Sequence, residues 1–104
     1  MSEGFRRGST PTNVFNVNID LTGATVFITY SQNNKVVIEK TGSDVTIESD
    51  KLTTTLSQTD TLALQSGRTE IQIRYVMSNG TADASNIIVV DAQRILKDGV
   101  ITYV

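Results

Sequence analysis

The sequence predicts an all-β fold, an antiparallel immunoglobulin-like β-sandwich of about seven short strands with at most one short helical turn. Three observations predict it. Apolar and polar residues alternate with a period of two along most of the chain, as they do when every second side chain faces a core. Turn formers such as Thr22-Gly23, Asn33-Asn34 and Asn79-Gly80 separate these runs at short intervals. Only the stretch after Ser57 carries a helical signal. The same strands closed into a small barrel are the alternative architecture.

From Met1 to Thr12 the chain is rich in Gly, Ser and Thr, and Pro11 biases Thr10 toward extended backbone. The expected organisation is therefore a flexible N-terminal arm over 1–12 and a single β-sandwich domain over 13–104. Val14 to Asp20 reads as a half-buried strand with Phe15, Val17 and Ile19 on one face. After the turn at Thr22-Gly23, the run from Ala24 to Tyr30 places Ala24, Val26, Ile28 and Tyr30 on one face and reads as a central strand. Gln32-Asn33-Asn34-Lys35 then turns the chain into Val36 to Glu39, a hairpin spacing.

Thr41 to Asp44 interrupts the alternation, and Val45 to Glu48 resumes it. A threonine-rich strand follows, with Leu52, Thr54 and Leu56 on one face. Ser57 with Asp60 three residues on has the spacing of a capping box, and Ser66-Gly67 ends whatever helix it starts. The longest alternating face is Thr69, Ile71, Ile73, Tyr75 and Met77. Ser78-Asn79-Gly80 closes it, with a partner strand running from Ala82 or Ala84 to Ala92. Ile87 to Val90 is apolar at successive positions, so both of its faces call for cover, and Val100 to Val104 forms an uncharged apolar tail.

Composition excludes more chemistry than it suggests. The chain of 104 residues has neither Cys nor His. Disulfides, thiolate nucleophiles, imidazole bases and Cys- or His-based metal sites are thereby removed. A net charge of -2 supplies no broad attraction to nucleic acid or anionic lipid, so neither is an expected partner. The basic pair Arg6-Arg7 is followed by no apolar run, so the expected location is the cytoplasm of the producing cell until assembly.

Three constellations are weighed against simpler readings. Asp44, Glu48 and Asp50 could offer oxygens to calcium, but their spacing matches no loop motif and solvated turns account for them, as for Asp83, Asp91 and Asp98. Tyr30, Tyr75 and Tyr103 could form a sugar-binding platform, against which stands core packing of Tyr30 and Tyr75. Arg6-Arg7 could meet an acidic partner, although an isolated basic pair is ordinarily solvated. No catalytic, cofactor or metal residue is assigned. The doubly apolar stretches Val36-Val37-Ile38 and Ile87 to Val90, together with the tail from Val100 to Val104, are the informative feature, covered either by the chain's own ends or by another subunit.

Several motifs together resemble a known group. Arg-Arg-Gly-Ser-Thr-Pro-Thr at 6–12, Asp-Leu-Thr-Gly-Ala-Thr-Val at 20–26, Leu-Ser-Gln-Thr-Asp-Thr-Leu at 56–62, Glu-Ile-Gln-Ile-Arg-Tyr at 70–75 and Ile-Leu-Lys-Asp-Gly-Val-Ile at 95–101 are similar to small prophage-encoded proteins of Gram-positive gut bacteria. More distantly they resemble the N-terminal domain of phage baseplate upper proteins. The resemblance implies a β-sandwich that serves as a structural, non-enzymatic part of a phage tail or baseplate, with itself and other tail proteins as partners, no cofactor, and the virion tail as its eventual location. A carbohydrate-binding module for host attachment is the alternative.

Overall fold

Two sheets face each other across one apolar core in the computed structural model, which describes residues 4–104. The elements in chain order are β1 (Phe5–Arg6), β2 (Thr12–Asn16), β3 (Thr25–Gln32), β4 (Lys35–Thr41), a 3-10 turn (Gly42–Asp44), β5 (Thr46–Glu48), β6 (Lys51–Thr55), α1 (Gln58–Ala63), β7 (Gly67–Val76), β8 (Ala82–Ala84) and β9 (Ile88–Gln93). The larger sheet has the order β1-β9-β7-β3-β4, with β8 also paired to β7. The smaller sheet has the order β2-β6-β5. The architecture is therefore the all-β sandwich that the alternation predicts.

Strand β3 is central in the larger sheet because it is apolar at every second position and paired on both sides. Ile28 lies opposite Ile73 and Tyr30 opposite Ile71, and all four are buried. From the smaller sheet, Phe15 and Ile47 flank Leu52, whose side chain is fully buried. Leu21, Leu56 and Leu64 close the core from the connections. The β3–β4 hairpin turns on Asn33 and Asn34, with φ of 52° and 63°. Two successive left-handed residues match the right-handed twist of the flanking strands, and Asn accepts that region more readily than most L residues.

Helix α1 is short and well capped. The Ser57 hydroxyl accepts from the Asp60 amide at 3.0 Å, and the Ser57 amide donates to the Asp60 carboxylate at 2.9 Å, as the sequence spacing predicts. The Lys40 ammonium lies 2.8 Å from the same carboxylate and ties the helix to β4.

Three expectations differ from what is seen. Within the expected arm, Gly4 to Thr12 joins both sheets, while 1–3 lie outside the described residues. Phe5 and Arg6 pair in parallel with Ala92 and Gln93, the one parallel ladder among the described residues. Gly4 lies so close to the Asp91 carbonyl that a Cβ would collide with it, so the approach requires glycine. Second, the strand expected over Val14 to Asp20 is shifted to Thr12–Asn16. The ladder stops at Asn16 because β6 begins opposite it at Lys51; past that point the Asp20 carboxylate accepts from both the amide and the hydroxyl of Thr22, at 2.9 and 2.6 Å, in a local turn, and Ile19 is exposed.

Third, the partner of β7 is broken in two. Arg74 pairs with Ala84 but Ile71 with Ile88, so three steps along β7 match four along its partner, which marks a bulge. At the bulge the Ser85 hydroxyl accepts from the Ile73 amide at 3.0 Å, taking the place of a ladder carbonyl. The doubly apolar stretches, whose cover the sequence leaves open, stay partly in water: Val36 and Ile87 are 65% and 54% exposed.

Candidate interaction surface

The outer face of the larger sheet carries a groove of about 570 Å³. Its geometry follows from strand register, since directly paired residues project to the same side. Phe27 lies between Arg74 and Thr41 in one cross-strand row, Thr29 between Gln72 and Glu39 in the next, and Ser31 between Glu70 and Val36 in the third. Ile87, displaced by the bulge, and Val76 close two sides of the groove. The face that alternation turns away from the core is thus not uniformly polar: the Phe27 ring and the aliphatic side chains of Val36, Val76, Ala82 and Ile87 surround a charged and amidic centre.

The charges in this groove are unequally satisfied. Arg68 holds Glu70 at 3.2 Å, and the Gln72 amide donates to the Ser85 carbonyl at 2.9 Å. Among the described residues, Arg74 and Glu39 have no ion-pair partner. Both are exposed, two strands apart on the same face.

The interior, by contrast, is fully paired: among the described residues no buried side-chain nitrogen or oxygen lacks a hydrogen-bond partner. Asn13 donates to the Tyr30 hydroxyl at 2.7 Å across the two sheets. Burial of Tyr30 pushes its pKa up to about 12, against the Asn13 hydrogen bond, which lowers it, and with a smaller push from the Asp60 carboxylate. The Gln32 amide nitrogen donates to the Gln65 carbonyl and the Thr69 hydroxyl, while its oxygen accepts from the Gln65 amide. These groups pin sheets to connections and leave nothing available for a ligand.

The residues singled out in the sequence scatter. Glu48 pairs with Lys51 at 3.4 Å, and Asp44 belongs to the 3-10 turn, where its carbonyl accepts from the Thr54 hydroxyl. Among the described residues no group of three carboxylates is placed to hold a metal ion. Of the three tyrosines, Tyr30 is fully buried, Tyr75 half-buried and Tyr103 fully exposed, so Tyr30 offers no ring face to solvent. Among the described residues no helix is long and apolar enough to cross a membrane.

Arg7 is placed differently from the solvated residue that the sequence suggests. Its guanidinium donates to the Leu64 and Leu62 carbonyls at 2.6 and 2.9 Å, satisfying the open end of α1, and reaches Asp98 at 3.4 Å. Nothing local in Arg6-Arg7 signals this, because the acceptors come from more than fifty residues away along the chain. The apolar tail is tied to α1: the Gln58 side chain donates to the Ile101 carbonyl and accepts from the Ile101 amide, both at 2.9 Å.

No family model matches the chain, and no curated protein matches it. Among solved structures it is similar to CopC from Methylosinus trichosporium OB3b, with 15% identity over 94% of this chain and 91% of that one and a TM-score of 0.48. It is also similar to the V domain of amphioxus IgVJ-C2, with 12% identity over 86% of this chain and 97% of that one and a TM-score of 0.34. At such scores no residue or role is carried over from either.

Proposed function

We propose that this chain is a non-enzymatic assembly protein of a phage or prophage tail or baseplate, acting through contacts with itself and with other tail proteins. The sequence resemblance supplies the setting. The observation that carries the reading is apolar surface left in water after the core is complete. Leu96, Tyr103 and Val104 are almost wholly exposed, Val100 and Ile101 are more than half exposed, and Val36 and Ile87 stand open on the outer face of the larger sheet. Apolar side chains left in water are what a partner protein would cover, and burying them yields roughly 25 cal/mol per Å² before the costs of association. The mechanism is accordingly burial and register, with no bond made or broken.

The test is to induce particles from the bacterium that encodes the chain, purify them on a density gradient and quantify their proteins by mass spectrometry. The expected result is the chain at a fixed stoichiometry with tail proteins, and defective tails when its gene is deleted. Particles that lack the chain and assemble normally without it would sink the proposal.

A further inference from the structure

We infer that the outer face of the larger sheet is a two-fold interface with a second copy of this chain, with β3 lying on β3 and β4 of each copy lying over β7 of the other. This deepens the assembly reading above, on which it rests, by naming the surface and the partner.

The argument is one of self-complementary charge on a fixed lattice of strands. Arg74 on β7 and Glu39 on β4 lie on opposite sides of β3, one row apart, and neither has an ion-pair partner among the described residues. A two-fold axis running along β3 in the interface exchanges the β7 and β4 sides. Glu39 of one copy then stands over Gln72 of the other, about 7 Å along the strand from Arg74, a span that the two long side chains cover between sheets about 10 Å apart. Because the interface is isologous, the same pair forms twice.

Of the apolar groups, Phe27 fits this arrangement: it lies on the β3 line, so the two rings meet at the axis, while Val36 of each copy lies over the Arg68–Glu70 ion pair of the other. An axis across the strands would instead bring Arg74 over Glu70. That carboxylate is already engaged by Arg68, whereas Glu39 is not, so the arrangement with β4 over β7 is the one that satisfies an unpaired charge.

The experiment measures the mass of the purified protein by light scattering over a dilution series from micromolar to millimolar, with circular dichroism to confirm that each variant is folded. Wild-type protein is expected to dimerise with rising concentration, and Arg74→Glu and Glu39→Arg are each expected to be monomeric. The deciding sample mixes the two variants in equal amounts. Both cross-pairs are then again opposite in charge, and the mixture is expected to dimerise although neither component does; a merely structural role for either residue would not produce this. A wild-type monomer throughout, or dimers that persist in both variants, would overturn the proposal. Glu70→Arg keeps both Arg74 and Glu39 and is expected to dimerise like the wild type; a monomeric Glu70→Arg that regains dimers only when mixed with Arg74→Glu would overturn the β4-over-β7 arrangement.

A monomer that binds a neutral glycan on an array, and loses it on Phe27→Ala, would give the groove to a sugar. Presence in purified particles without dimerisation would remove this interface and leave the assembly reading standing.

Discussion

Ile73 and Gln72 are neighbours in sequence and opposites in energetics. Ile73 is buried against Ile28 from the adjacent strand, whereas Gln72 faces the outer groove and spends its amide on the Ser85 carbonyl. Ile73→Ala should cost about 2–5 kcal/mol in chemical denaturation, since it removes a buried branched side chain and leaves a cavity. Gln72→Ala should cost about 1 kcal/mol or less, and equal losses would contradict the register. Asp60 makes a second prediction at this scale. Burial opposes its ionisation, but the Lys40 ammonium and the Ser57 donors outweigh that, and its pKa lies below the ordinary 3.8. The folded state therefore binds this proton less readily than the unfolded one. The stabilisation it gives is complete above the ordinary value and is lost as pH falls through the folded value. Thermal melts of Asp60→Asn should show a flatter acid limb than wild type over that window.

Among the elements, the β3–β4 hairpin and α1 were both legible in the sequence, because each is specified by chemistry within a few residues. Asn33-Asn34 supplies the turn and Ser57 with Asp60 supplies the cap. Replacing Asn34 by Val should destabilise the protein by about 1–2 kcal/mol, because a β-branched side chain resists the left-handed backbone required there; an unchanged denaturation midpoint would show that the hairpin tolerates another turn. Elements defined by distant partners were less legible. The two-residue β1 exists only because β9 is beside it, and a pattern of two residues carries no periodicity. The break between β8 and β9 depends on the Ser85 hydroxyl replacing a backbone acceptor, whereas Ala82 to Ala92 reads as one uninterrupted run. β2 stops at Asn16 because β6 begins opposite it at Lys51, and the Asp20 side-chain turn follows where the alternation of Val17 and Ile19 predicts more strand.

For the molecule as a whole, the radius of gyration is 14.4 Å, against about 13 Å for a compact domain of this length. The excess agrees with a tail that projects from the sandwich, anchored through Gln58 and Ile101. Deleting residues 100–104 should therefore change unfolding free energy by no more than about 0.5 kcal/mol, as for other exposed groups without core contacts. A loss of several kcal/mol in urea denaturation would show that the tail belongs to the fold. The candidate surface was only partly legible. Val36 and Ile87 stood out as apolar residues wanting cover, but Phe27, Glu39 and Arg74 read as ordinary outward positions until pairing set them side by side.

The sequence by itself determined the fold class, the central strands and the capped turn of helix, because alternation and local turn chemistry act between residues a few positions apart. It also determined that no cysteine or histidine chemistry is available. Only the tertiary structure decided which strands are neighbours, that Arg7 closes the end of α1, and that Arg74 and Glu39, without ion-pair partners among the described residues, share an open face. Those facts depend on contacts between distant parts of the chain, and such contacts leave no period in the sequence.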